Sequence, residues 1–258
     1  MKHKKETPES KARHKLISDA FSPLGESIAE SMADELEVKG GLLTPRKSYI
    51  KHKTEEMTQA IDAELLKREK RMKKAGEIIK EKLSSLAPTE RERVEKEMGH
   101  SAKSITSLLT PSENSEEMAE DKTMQSILGL SNETLLWIYS IGYELSLIKH
   151  HEEALCMFQM LTTLNPLVAD YFVAEGLEER ALHHNKEALN SFAMASLTNP
   201  DLAISRCHSV DLYLKLHQVE DASLELEVLE ELIAAGNLTD LRSVAESFRS
   251  RIQISHAS

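Results

Sequence analysis

Two histidine pairs, His150–His151 and His183–His184, are the first residues of this 258-residue chain to invite chemistry. Paired imidazoles can bind zinc, but a zinc site needs further ligands at set spacings, and neither pair has such a set beside it. Both pairs fall at turns between helices, where exposure to solvent is the plainer expectation. Cys207 could supply a thiolate nucleophile, yet no activating base accompanies it in sequence, so it reads as a small apolar residue. A Gly-rich phosphate loop and an HExxH pattern are both missing from the sequence. Catalysis, a metal and a cofactor are therefore not expected. What remains is binding. Tyr139 and Tyr143, four residues apart, share one side of a helix and are expected to face a ligand. Ordinary packing between helices is the alternative role for both.

The composition describes the elements that must hold these residues. At 40% hydrophobic and 29% charged, with 9 Gly and 7 Pro, the chain fits an all-helical protein rather than a β-sandwich or a disordered polymer. No apolar run approaches the ~18 residues of a membrane span, so direct membrane insertion is not expected. The basic start, Met1 to Lys15, is followed by Leu16, Ile17, Ser18 and Asp19, which is no signal-peptide centre. Cys156 and Cys207 are too few for a disulfide framework, and a reducing cytoplasm is the expected location. Charge is uneven. Residues 1–125 hold 24 basic and 24 acidic side chains, whereas 126–258 hold 8 and 19, so the net −11 belongs to the second half. An acidic surface repels phosphate backbones, so nucleic acid is not expected as a partner.

The first half has little to build a core from, since only Phe21 and Tyr49 precede Trp137 among aromatic residues. Residues 1–53 read as a basic tail followed by a short amphipathic helix that begins at Ser22–Pro23 and stops at Gly40–Gly41. Leu24, Ile28, Met32 and Leu36 recur every fourth residue there, a stripe that needs a partner and is the candidate surface for a homodimer. Residues 54–109 read as a charged helical hairpin or coiled-coil segment opening at Thr54. Ile61, Leu65, Met72, Ala75, Ile79 and Leu83 mark its first arm. Pro88 interrupts it, Thr89 and Glu92 have the spacing of a capping box, and Val94, Met98, Ala102, Ile105 and Leu109 mark the second arm. Residues 110–123 read as a polar linker.

The second half repeats itself. Gly142 recurs as Gly176, Ala154 as Ala188, Phe158 as Phe192 and Pro166 as Pro200, each pair 34 residues apart. That is the tetratricopeptide (TPR) period. Small residues let two helices cross closely, Phe fills the space between them, and Asn-Pro ends the second helix. A third unit is fainter: Ala222 keeps its place, while Val210, Leu226 and Ala234 replace Gly, Phe and Pro. Residues 124–258 are thus expected to form a TPR helical repeat array. Its three repeats span about 135–168, 169–202 and 203–236, Ser131 caps the first helix, and a capping helix lies within 239–254.

In such arrays the first helix of each pair lines the inner side. The expected client groove therefore comprises Tyr139, Tyr143, Ser146 and Leu147 from the first repeat. Val173, Leu177 and Arg180 follow from the second, and Cys207, Asp211 and Leu214 from the third. Its mixture of aromatic, aliphatic and a few charged groups suits a peptide better than a small substrate.

The stretch LGLSNETLLWIYSIGYELSLIKHHEEALCMFQMLTTLNP, from Leu128 to Pro166, resembles the first repeat of class II chaperones of bacterial type III secretion systems, the LcrH/SycD type. Tyr171–Phe172 is similar to the opening of their second repeat, and His208 with LKLHQVEDA, Leu214 to Ala222, to their third. SNETL and IYSIGY are the more specific marks. The likeness covers about Ser126 to Ile233, somewhat under half the chain. It implies a non-catalytic cytoplasmic bacterial protein that keeps a hydrophobic translocator or effector soluble before export by holding an extended segment in its groove. It also implies a tyrosine row in the first repeat. Two of these fall on Tyr139 and Tyr143, the third on Ser146, and Glu175 stands where an apolar packing residue is expected. The roughly 125 residues before the match exceed the family's usual N-terminal helix. A non-catalytic TPR scaffold joining parts of a secretion or other complex is the alternative function.

Overall fold

A computed structural model describes residues 26–38, 44–109, 123–236 and 238–256, with the side chains of 100–109 and 256 left aside. The basic tail, Leu24, the start and stop signals of the first helix, and nearly all of the 110–123 linker lie outside the described residues. Every regular element among the described residues is helical. In chain order they are α1 (26–38), α2 (Arg46–Leu83), α3 (Pro88–Leu109), α4 (Met124–Leu128), α5 (Asn132–Leu147) and α6 (His151–Leu164). There follow α7 (Ala169–Ala181), α8 (Asn185–Thr198), α9 (Ala203–Lys215), α10 (Val219–Gly236) and α11 (Thr239–His256).

The chain divides into two compact units between Lys70 and Arg71, inside α2. The first holds α1 and the front of α2. Its buried side chains are the small Ala29 and Ala33, with Thr54 and Thr58, whereas Ile28 and Met32 are exposed and Leu36 half-exposed. Arg46 is hydrogen-bonded to Asp34 and Glu37, tying the start of α2 to the end of α1. Helix α2 starts eight residues ahead of the expected Thr54. Pro45 provides the first-turn carbonyl for Ser48 and Tyr49, 2.8 and 3.1 Å away. Thr54 does not cap. Its hydroxyl donates back to the Ile50 carbonyl at 2.9 Å, which satisfies a threonine inside a helix. The expected boundary at 53/54 therefore falls within one continuous helix.

The second unit contains the repeats and also the end of α2 and all of α3. Ala75, Ile78 and Ile79 of α2 share a core with Leu135, Ile138 and Ile141 of α5 and Met157, Phe158 and Leu161 of α6. From Arg71 onward the charged helical segment thus does not stand apart, because Ala75, Ile78 and Ile79 of its stripe share the core of the first repeat. Helix α3 begins at Pro88, where the missing N–H costs nothing, and the amide of Arg91 bonds the Ala87 carbonyl at 2.9 Å. Thr89 sits inside the first turn, so the expected capping box is displaced. Glu97 of α3 instead reaches the next structural start. It accepts the Ser131 amide at 3.0 Å and the Thr134 hydroxyl at 2.7 Å, while Ser131 caps α5 through the Thr134 amide.

Helices α5 to α10 form three pairs at the expected period. A Cβ added to Gly142 would lie 2.9 Å from the Phe158 ring, and one at Gly176 would lie 2.6 Å from the Phe192 ring. Only a bare backbone admits these rings. In the third pair Val210 replaces the glycine and the smaller Leu226 replaces Phe, and both are buried. Each first helix ends in the same turn. Lys149, His183 and His217 are left-handed, at φ 62°, 62° and 58°. The next amide in each case bonds back five residues, to the carbonyls of Leu145, Glu179 and Tyr213 at 2.8–2.9 Å. Helix α11 closes the stack by packing Ala245, Phe248 and Ile252 against Val210, Leu226 and Leu229.

Candidate functional site: the inner face of the repeats

Helices α5 and α7 enclose a pocket of about 200 Å³ whose wall includes Tyr139, Tyr143, Ser146, Val173 and Leu177. Five of the ten groove residues read from sequence meet there. Tyr139 is half-buried, with its ring 5.4 Å from Phe158 and 5.9 Å from Tyr171 between centroids. Burial, followed by the nearby Asp170 and Tyr143, pushes its phenol above the ordinary tyrosine pKa. Tyr143 differs: it is 55% exposed and has no aromatic neighbour among the ring pairs of the described residues. Leu177 across from it is 39% exposed. The floor is thus a fixed aromatic stack, and the rim carries apolar area that water still covers. Phe158 of α6 and Asp170, Ala174 and Glu178 of α7 complete the wall. The spacing of Asp170 and Ala174 on α7 with Val173 and Leu177 follows the helical period, so the same pattern in the sequence could have found these two.

Ser146 meets Glu178, donating its hydroxyl at 2.6 Å. His151 holds the other oxygen of Glu178 at 2.7 Å through Nδ1. Leu147 is 65% exposed and stands outside the pocket wall, at the end of α5. Glu178 belongs to a set of three glutamates on α7, with Glu175 and Glu179, all nearly inaccessible to water. Glu175 accepts from Gln159 at 3.1 Å and Thr162 at 2.9 Å. Glu179 accepts from Arg71 at 3.2 Å and lies 2.6 Å from Nδ1 of His184. Buried carboxylates persist only where such partners replace water. Two of the turn histidines expected in solvent are therefore half-buried partners of α7. Among the described residues no cluster of three or more His, Cys, Asp or Glu is placed to hold a metal ion.

The third repeat uses its share of the inner face differently. Cys207 and Leu214, expected in the groove, are buried in the core that contains Ala245, Phe248 and Ile252 of α11. The last repeat needs a lid for its apolar side, and these two residues share the core that the lid completes. Burial raises the Cys207 thiol to about 11, and likewise Cys156, so neither is a ready nucleophile. Arg180 and Asp211 remain at the surface edge, paired at 2.6 Å. His208 stacks on Phe192 with centroids 5.1 Å apart, a contact the sequence reading missed. Burial, then Arg180, holds its pKa below the ordinary histidine value.

No helix among the described residues is long and apolar enough to cross a membrane. No protein-family model matches the sequence, and a search of curated proteins finds no match. Solved structures do resemble the chain. A type III secretion complex from Aeromonas hydrophila is 22% identical, covering 53% of this chain and 89% of its own, at a TM-score of 0.48. The Yersinia enterocolitica type III secretion translocator chaperone SycD is 20% identical over 52% of this chain and 98% of its own, at 0.47. PcrH from Pseudomonas aeruginosa is 23% identical over 50% and 96%, at 0.44.

Proposed function

We propose that this protein is a non-catalytic chaperone of the type III secretion kind. It holds an extended apolar segment of a translocator or effector against the inner face of its repeats, and so keeps the client soluble in the bacterial cytoplasm before export. The observation that carries this reading is the Tyr143–Leu177 rim above the Tyr139–Phe158–Tyr171 stack. A rigid aromatic floor beneath exposed apolar edges favours a ligand that removes those edges from water, at roughly 25 cal/mol per Å². The client class follows from the resemblance of the SNETL and IYSIGY stretches. Exposed Ile28 and Met32 on α1 support a second copy of the chain as a further partner.

Co-expression tests the reading. A translocator that precipitates alone should stay soluble in a stable complex with this chain. Binding to folded partners without rescue of an insoluble one would instead support a scaffold.

A further inference from the structure

Only eight basic side chains occur in residues 126–258, against nineteen acidic ones. Three of the eight converge on one carboxylate. Asp211 of α9 is 2.6 Å from Arg180 of α7, 2.9 Å from Lys215 of α9 and 2.9 Å from Arg251 of α11. One anion neutralises one of three cations, so this spot is electropositive in an otherwise acidic half. The cations are not sealed away: the Lys215 side chain is 50% exposed and that of Arg251 41%. Arg180 also lies one turn beyond Leu177 on α7, so the cluster adjoins the apolar pocket.

We propose that this cluster receives an Asp or Glu side chain of the client, making the recognised segment an apolar anchor followed at a set distance by an acidic residue. The inference rests on the groove reading above and adds a charge requirement to it. The cluster lies one to two helix spacings from the pocket, each roughly 8–10 Å, and an extended peptide advances ~3.3 Å per residue, so the acid falls about three to six residues from the anchor. A carboxylate there replaces water on Lys215 and Arg251 while Asp211 keeps Arg180 in place. Elsewhere on this half the surplus of carboxylates repels an acidic segment, which restricts the register in which it can lie.

The full-length protein should be titrated with fluorescein-labelled, C-terminally amidated peptides. Each carries a fixed Leu–Val anchor in a Ser/Thr background, with one Asp or Asn moved along the flanking positions. Asp should bind about fivefold more tightly than Asn at one position on one side of the anchor, less so at high salt. Lys215→Gln with Arg251→Gln should abolish that preference and leave the Asn peptide unchanged. Asp211→Asn should increase the preference, a gain that misfolding would not produce. Equal binding of Asp and Asn peptides at every position overturns this inference and leaves the groove reading standing. Failure of every peptide to bind overturns the groove reading, and this inference with it.

Discussion

Arg71 of α2 and Glu179 of α7 lie 108 positions apart in sequence and 3.2 Å apart in space, with side chains 9% and 2% exposed. The same guanidinium donates to Gln159 at 3.2 Å, which in turn donates to Glu175 and Glu179. One arginine from the segment before the repeats thus supports a carboxylate inside them. Arg71→Met should destabilise the protein by about 3 kcal/mol, because removing one partner leaves a buried charge without its main compensation. Arg71→Met with Glu179→Met should recover most of that loss. Urea denaturation followed by circular dichroism measures both. Additive losses in the double variant would show that the pair is not coupled.

The glycine–phenylalanine contacts make a second prediction. Gly176→Ala places a Cβ about where the fully buried Phe192 ring stands, 2.6 Å away. Overpacking of this kind costs about 1–3 kcal/mol, against a gain of up to ~1 kcal/mol in helix propensity. The net effect should be a lower Tm. Gly176→Ala with Phe192→Leu, the combination of small ring space and added side chain that Val210 and Leu226 already use, should be more stable than Gly176→Ala alone.

Glu97 predicts an acid response. Burial is the largest single influence on it and pushes its pKa up, but the Ser131 amide, the Thr134 and Ser131 hydroxyls and Arg93 together hold it below the ordinary value. A group with a depressed folded pKa stabilises fully above its unfolded value, ~4.3, and loses that contribution as pH falls through the folded one. Glu97→Gln should therefore lower Tm at pH 7, and its gap to the parent protein should narrow as pH falls through and below the ordinary carboxylate range. A gap that stays constant from pH 7 to pH 3 would mean that ionisation of Glu97 contributes nothing.

The two tyrosines should separate in binding experiments. Tyr143→Ala removes a side chain that is 55% exposed in the free protein, so client affinity should fall about tenfold with Tm nearly unchanged. Tyr139→Ala removes the centre of the aromatic stack and should lower both affinity and Tm. Isothermal titration with a co-purified client, paired with thermal melts, distinguishes the two. Unchanged client affinity in the double variant would exclude both from the site.

Helix α1 makes the remaining prediction, which concerns mass. Ile28→Glu with Met32→Glu puts charge on the exposed side of α1 while Ala29 and Ala33 stay buried. If a second copy covers that side, light scattering should report half the mass of the parent protein. A monomeric parent would end the dimer reading.

Much of the repeat array could be read directly from the residues. The 34-residue recurrence of Gly142, Ala154, Phe158 and Pro166 is local information, since each residue does the same job against its own partner helix. Tyr139, Tyr143, Val173 and Leu177 followed from the same period, because a helix face is a matter of counting. Other features depended on residues distant in the chain. That α2 extends the core of the first repeat, and that Arg71 neutralises Glu179, are pairings across about a hundred residues that no local pattern encodes. Glu175 looked misplaced in sequence, and Gln159 and Thr162, which come beside it on the neighbouring helix, are partners that burial brings to it. The burial of Cys207 and Leu214 was decided likewise by distant residues, in a core that α10 and α11 build around them. Periodicity specifies which side of a helix is apolar, but what covers that side is settled by packing free energy summed over the whole unit.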